Sequence, residues 1–532
     1  RTQRNHNRRM INRRRFLELS TTAALGWSLA RCAGESSTAN RPVAQRKWGD
    51  PRADQIAAMV PENQRPDGVL EVFVLGGLCP WDTFYVVPEY GDPNRGGPHA
   101  NTQWWTFQDD KDMSPAALFE KCGGGDRPIY APYGTDAIGK TVNLGPFVYP
   151  LRDRPDILNR MRIDVMAHDA LPHHAAIPIA LSGVNRNSAR MAALGTHVQR
   201  YFSEHGDPNR TAPYSYVVYQ SSLDIDGNGD AASSVGFHPS SARQMAVRLG
   251  PNNPLPTQLA RQGVSQYRDQ LDSMVAYYQS QYQQRLQHNG QSTRAPNLQD
   301  FEAARHALQK HDVLQNLLTA DALAIANASA CQEDLMGDEL ETGLGLATRL
   351  LTATNDRAQY VNVMEGGLYP DPAGLGYDTH AMHVLWSSRN MVHLCKQLAA
   401  KINEPGENDP NKLDLDKHLI VLNTEFGRTP YREFSKLNPD GTGTDHWCYG
   451  YVSIVIGGFV SEDKSGVRGA IGEDGYAIQS WHPSEHRAAM LLAQGIWPFS
   501  PEGFRVSDVR DAKTELDAAM YLKEQILEIP NA

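Results

Sequence analysis

Apolar positions in this chain gather into short continuous runs separated by long polar stretches. The run Leu70-Glu71-Val72-Phe73-Val74-Leu75, closed by Gly76-Gly77, reads as a buried strand, because it is short, almost wholly apolar and punctuated by glycine. Ile163-Asp164-Val165-Met166-Ala167 reads the same way, as do Val361-Asn362-Val363-Met364, the stretch from His418 to Asn423 and the stretch from Tyr451 to Ile456. Residues 175–203 look largely helical. Two long polar-rich helical stretches, Gln258 to Gln287 and Leu298 to Ala330, are broken between Asn289 and Pro296 and predict a helical insertion over about residues 255–330, packed on the core. Strands alternating with helices predict an α/β sandwich around a mostly parallel sheet. In such sheets the active site lies beyond the carboxyl ends of the strands. Tyr90 to Leu144, full of Gly, Pro and Asp, reads as surface excursions with few regular elements.

The first thirty residues are of another kind. Asn12-Arg13-Arg14-Arg15-Phe16-Leu17 precedes an uncharged, mildly apolar stretch from Thr21 to Ala30, the pattern of a removable twin-arginine export signal over residues 1–30, with Met10 the expected start. Ser28-Leu29-Ala30 suits a signal peptidase, whereas Leu29-Ala30-Arg31-Cys32 resembles a lipoprotein box with an ill-fitting arginine, so a lipid anchor at Cys32 stays open. Residues 31–67, rich in Arg, Gln and Pro, predict an extended lead-in to a domain over residues 68–532. No later segment reaches the apolar length of about 18 residues that a membrane span needs. A periplasmic or cell-surface protein is expected, with the twin-arginine translocase as its partner during export.

Loss of residues 1–30 removes seven arginines and Glu18, which takes the formal net charge from -10 to -16. That balance argues against a nucleic-acid partner or an anionic membrane surface. The 6 cysteines show no Cys-x-x-Cys pair and no zinc-ribbon spacing, and their pairing cannot be read from their positions.

Candidate chemistry sits at the strand ends. Cys79-Pro80-Trp81-Asp82-Thr83 follows the first, Gly376-Tyr377-Asp378-Thr379-His380 the third, and Thr424-Glu425-Phe426-Gly427-Arg428-Thr429-Pro430 the fourth, while Gly443-Thr444-Asp445-His446-Trp447 immediately precedes the fifth. Asp82, Asp378, His380, Glu425, Asp445 and His446 are therefore expected along one edge of the sheet. Carboxylates and imidazoles converging without thiolates are the ligand set of Zn²⁺ or Mn²⁺, with Ca²⁺ or Mg²⁺ open if the histidines stand aside. The stretch Asp224 to Asp230 begins like a calcium loop but has Val235 at its twelfth position, where a bidentate Glu is required. His383 and His393, spaced among Met382, Leu385, Trp386 and Leu394, read as packing residues, and His482 or His486 is left as a possible approach to the site.

The strings Gly-Tyr-Asp-Thr-His, Thr-Glu-Phe-Gly-Arg-Thr-Pro and Thr-Asp-His-Trp, with Gly-Gly-x-x-x-x-Asp-Thr-Phe near the start and the twin-arginine signal, resemble a bacterial family of exported proteins over about residues 70–500. It is catalogued as the domain of unknown function fifteen-oh-one, is described as sulfatase-like and belongs with the alkaline phosphatase-like superfamily. The resemblance implies a two-metal hydrolase of phosphate or sulfate esters, on a small molecule or a polymer, with paired cations stabilising charge on the attacking and leaving oxygens. It implies two divalent ions, zinc first with manganese or calcium as alternatives, held by Asp82, Asp378, His380, Glu425, Asp445 and His446. Arg428 would orient a carboxylate or bind substrate oxygens.

One departure stands out. Relatives in that superfamily carry a Cys, Ser or Thr nucleophile some ten residues before a Thr-Gly pair, and the matching count back from Gly183 lands on His173. His173 or His174 is then a metal ligand, a general base or a nucleophile, and Thr83 is a weaker nucleophile candidate that also reads as a capping residue. A metal-stabilised scaffold or binding protein without turnover is the alternative reading.

Overall fold

A computed structural model describes residues 46–91, 104–107, 114–185, 188–205, 214–220, 238, 244–248, 268–288, 310–368, 376–432 and 440–530. The twin-arginine stretch, Cys32 and the Asp224 to Asp230 loop lie outside the described residues. Residues Lys47–Ala532 form one compact unit. It begins inside the segment expected to be an extended lead-in, because Trp48, Ala58, Met59 and Val60 are buried in the core.

The central sheet contains β1 (Gly68–Val74), β2 (Met161–Met166), β3 (Tyr216–Gln220), β4 (Met245–Arg248), β5 (Tyr360–Glu365), β6 (His418–Thr424), β7 (Tyr451–Gly457) and β8 (Gly466–Arg468). Its order is β8-β2-β7-β6-β1-β5-β3-β4. Strand β1 lies at the centre, parallel to β6 with Val74 opposite Thr424 and parallel to β5 with Val74 opposite Glu365. Among the described residues every strand but β7 runs the same way; β7 is antiparallel to both β6 and β2. The reversal matters for the site. The start of β7 lies at the edge where its neighbours end, so the residues before it join the residues that follow β1, β5 and β6.

Side chains alternate across β1: Leu70, Val72 and Val74 enter one core, while Val69 and Phe73 enter the other. Helices cover both faces. On the second face are α1 (His173–Ser182), α2 (Leu194–His205) and, later in the chain, Pro483–Ala493; on the first are Glu339–Thr352 and His383–Ala400. The result is an α/β sandwich with apolar layers above and below a mostly parallel sheet.

Glu71 points into the second core and is paired there: Arg487 Nη1 lies 2.7 Å from its Oε1. Tyr360 Oη, Asn362 Nδ2 and Asn423 Nδ2 also donate to it at 2.7, 2.9 and 3.0 Å.

Three expectations change. Residues 175–203 are two helices, because Gly183 closes α1 in the left-handed conformation at φ 73°. Within the predicted insertion, α3 (Arg268–His288) exposes Met274, Tyr277 and Tyr278 instead of packing them on the core. Among its described residues the second predicted helical stretch is helical at His311–Leu317 and in a single 3-10 turn at Asp321–Leu323. Ala326–Ala330 is a strand paired antiparallel with Glu333–Asp338, since the chain reverses at Cys331 and Gln332, both at positive φ. Cys331 is disulfide-bonded to Cys122, at the end of the helix Pro115–Lys121. The helices that follow the insertion are α4 (Glu339–Thr352), α5 (His383–Ala400) and α6 (Pro483–Ala493).

Candidate metal centre

The end of β1 sets the geometry. Gly76 takes φ 109°, and a Cβ there would lie 2.3 Å from the backbone nitrogen of Asp378, so only glycine allows the loop after β5 to come this close. The Gly76 N–H donates to Glu425 Oε1 at 2.7 Å, and its carbonyl accepts from Arg428 Nη1 at 2.9 Å. Gly443 plays a similar part on the other side, where a Cβ would lie 2.0 Å from the His380 carbonyl oxygen.

Asp378 is the hub. His380 Nε2 lies 3.1 Å and His446 Nε2 3.3 Å from its Oδ1, and His173 Nε2 lies 3.3 Å from its Oδ2. The other nitrogen of His173, Nδ1, is 2.9 Å from Glu425 Oε1. Arg428 donates to Asp378 Oδ1 at 2.7 Å. Burial opposes ionisation of Asp378, yet Arg428 and the three imidazoles outweigh it and hold the carboxyl far below the usual carboxylate range. Burial also pulls His173 down, but Asp378 and Glu425 prevail and raise it to about 9.

His446 is the most telling of the three. Its Nδ1 is 2.9 Å from the carbonyl oxygen of Leu171, an acceptor, so Nδ1 must carry the proton. Burial lowers the imidazole below its ordinary range and favours the neutral ring. Its Nε2 is within hydrogen-bond distance of Asp378 Oδ1, and this contact is one of those that hold the carboxyl low.

Arg428 has no donor group turned to a substrate among its recorded bonds. Besides Asp378 and Gly76 it donates from Nε to Thr444 Oγ1 at 2.9 Å and from Nη2 to the Thr444 carbonyl at 3.1 Å. It is fully buried, with its guanidinium held against Asp378 by these bonds.

Asp82 lies in a second group. It ends a short turn, Pro80–Asp82, after β1, and its Oδ2 is 3.1 Å from His383 Nε2 at the start of α5. Cys79, Asp82 and His383 bring one ligand atom each within 4.8 Å of one another. His383 is aimed there by Met382, which takes the left-handed conformation at φ 50° just before the helix. Thr379 links the two groups: its Oγ1 is 2.6 Å from His383 Nδ1 and 2.9 Å from Thr444 Oγ1, while Thr444 also receives Arg428.

The six ligand candidates thus fall into two adjoining sets. His173, Asp378 and His446 form one group and His380, Asp445 and His446 an overlapping one, with Glu425 joined through His173. Asp445 is exposed, and its Oδ1 accepts from the His446 backbone N–H at 2.7 Å. Of the nucleophile candidates, His173 is buried inside the cluster, His174 is exposed, and the Thr83 hydroxyl is buried and donates to the Cys79 carbonyl.

Other histidines also find places. His383, read as packing, is part of the Asp82 group, and His393 sits 2.8 Å from Asp338 Oδ2. His482 caps α6 through Ser484. His486 is buried against Asp164, which is paired in turn with Arg162, so neither residue of this motif approaches the site. Sequence reading missed Cys79 and His383 as site members. The signal was present in Cys79-Pro80-Trp81-Asp82, a spacing that puts the first and last residues on one tight turn.

Among the described residues no helix is long and apolar enough to cross a membrane. No curated protein and no solved structure matches the chain. A family model described as "Protein of unknown function (DUF1501)" matches residues 162–497, a span that holds His173, Asp378, His380, His383, Glu425, Arg428, Asp445 and His446, whereas β1, Cys79 and Asp82 precede it. That match covers well over half of the chain, and the protein belongs to the DUF1501 family.

Proposed function

We propose that this protein is an exported, divalent-metal-dependent hydrolase of phosphate or sulfate esters, built on an alkaline phosphatase-like plan. The observation that carries the proposal is the convergence of His173, His380 and His446 on Asp378, with a ring nitrogen of each 3.1–3.3 Å from its carboxylate oxygens. The donor set fits a metal: imidazoles and carboxylates converge, with the buried Asp82 Oδ1 and His173 Nε2 both lacking an aligned hydrogen-bond partner. Asp378, His380, Asp445 and His446 would hold one ion, and Asp82 another, with Glu425 and His173 at their side. Bound cations in such a pair lower the pKa of a coordinated water and neutralise charge on the ester oxygens.

The protein's own residues have separable parts in this reading. Arg428 fixes Asp378. The Leu171 carbonyl fixes the tautomer of His446. Both nitrogens of His173 face carboxylates, which suits a ligand or a proton store better than a nucleophile that must present a bare nitrogen to phosphorus. The attacking group is then water, in place of the covalent Ser, Thr or Cys route.

One observation favours a scaffold without turnover: the Thr83 hydroxyl, the conventional nucleophile candidate, is buried and already donates its proton. Two measurements separate the readings. Elemental analysis of the purified protein is expected to find bound divalent metal that falls in Asp378→Ala; absence of metal sinks both. Aryl phosphates and aryl sulfates are then offered to the metal-loaded protein, and hydrolysis that vanishes in His173→Ala removes the scaffold reading, while no turnover with metal in place removes the hydrolase.

A further inference from the structure

We propose that Cys79, Asp82 and His383 form a thiolate-bearing site for a borderline-soft divalent ion, zinc foremost, distinct in chemistry from the His/carboxylate cluster around Asp378. The proposal rests on the metallohydrolase reading in taking Asp82 as a ligand, and it adds the two residues that complete the set.

Three observations support it. The Cys79 Sγ, an Asp82 oxygen and a His383 nitrogen lie within 4.8 Å of one another, and all three residues are buried, at 3%, 0% and 1% exposure. Asp82 Oδ1 is fully enclosed with no aligned hydrogen-bond partner, while His383 Nε2 lies 3.1 Å from Oδ2 and the Cys79 thiol stands beside the carboxyl. A buried carboxylate oxygen left bare is costly, and folded proteins seldom keep one without an ion or a donor beside it. The surroundings of His383 also suit ligation. With its proton on Nδ1 the ring donates to Thr379 Oγ1 at 2.6 Å, the Thr379 hydroxyl donates onward to Thr444 Oγ1 at 2.9 Å, and the Nε2 lone pair is left facing Asp82. An outer-shell partner on the far nitrogen is the usual means of fixing a ligating imidazole.

The donor chemistry selects the ion. One sulfur, one nitrogen and one oxygen ligand suit Zn²⁺ or Co²⁺, whereas Mg²⁺ and Ca²⁺ prefer all-oxygen surroundings. Three protein ligands with a fourth position left over is the pattern of a catalytic zinc rather than a closed structural one. Trp105, whose ring centroid is 4.8 Å from that of His383, walls one side of the group. On binding, the Cys79 S–H bond breaks, its proton goes to solvent, and the sulfur lone pair is donated to the ion with no change of oxidation state.

Cobalt substitution tests the proposal without relying on activity. The purified protein is stripped of metal and titrated with Co²⁺ alone, with near-ultraviolet absorption and bound cobalt measured together. A thiolate-to-cobalt charge-transfer band is expected, lost in Cys79→Ser with one fewer ion per chain and retained in Cys448→Ser. His383→Gln, which keeps the thiol, is expected to weaken cobalt binding at this site and diminish the band, and it serves as the second test if Cys79→Ser does not fold. Cobalt bound without the band overturns this proposal and leaves the metallohydrolase reading standing. No bound cobalt overturns both. A band that survives in Cys79→Ser, or is untouched in His383→Gln, overturns the site as drawn.

Discussion

Replacing Glu365 by glutamine is expected to stabilise the protein above pH 7 and to leave it nearly unchanged near pH 4.5. Glu365 ends β5 and is buried, with the Tyr377 hydroxyl and the Gly367 N–H donating to its Oε1 at 3.2 and 3.0 Å. Burial is the largest influence on it and pushes the carboxyl up from 4.5 to about 7. A folded-state pKa above the unfolded one means that the fold binds this proton more tightly than the open chain does. Stability from this group is therefore fully present below about 4.5, erodes as pH rises and is lost above about 7. At about 1.36 kcal/mol per pH unit, the interval between those values corresponds to ~3 kcal/mol. Glutamine keeps an oxygen for Tyr377 and Gly367 and cannot ionise. Denaturant midpoints of both proteins at pH 4.5, 6 and 8 should diverge progressively, with the variant ahead at pH 8. Parallel curves, or a variant less stable than the parent at pH 8, would refute the view of Glu365 as a carboxyl that the fold prefers neutral.

The remaining predictions concern the buried pairs, the strut and the crosslink. Arg487→Met leaves Glu71 charged in the core and should cost about 3–5 kcal/mol in chemical denaturation, and adding Glu71→Gln should restore much of it; equal losses in the single and double variants would show that the pair is not coupled. Arg428→Met removes the strut from Asp378, and calorimetric metal titration is expected to show weaker binding at the Asp378 cluster together with lower stability; unaltered affinity would assign Arg428 elsewhere. Thr379→Val deletes the outer-shell partner of His383 and should weaken metal binding at the Cys79 group about 10–100-fold, more than at the Asp378 cluster; equal losses at both would assign Thr379 a shared structural part. Reduction of the Cys122–Cys331 disulfide, or paired replacement by serine, should cost about 2–5 kcal/mol; an unchanged denaturant midpoint would argue that the bond adds nothing to stability.

The strands that were legible in the sequence share one property. β1, β2, β5, β6 and β7 are buried on both faces, so their apolar runs are continuous and stand out. β8 is three residues long and β4 four, too short for any pattern to show. Ala326–Ala330 was masked by its alanines, whose helical preference yields here to strand pairing across a turn at Cys331 and Gln332.

Within the site, the Asp378, Glu425 and His446 motifs were readable because each lies beside a strand end, and the reversed β7 explains why the last of them comes before its strand instead of after it. His383 was hidden by its company. Helical spacing groups it with apolar neighbours, and no periodicity reveals that a left-handed Met382 turns it back toward Asp82. Cys79 was hidden by a different logic: its proximity to His383 depends on a parallel sheet bringing distant loops together.

The bond between Cys122 and Cys331 spans 209 residues, a stretch that includes β2, β3 and β4 with α1, α2 and α3. Any single protease cut within that stretch opens the backbone without releasing either piece. Such a nicked molecule keeps its full mass on a gel until reductant is added and then divides into two bands, so a digest read only under non-reducing conditions would report an intact chain.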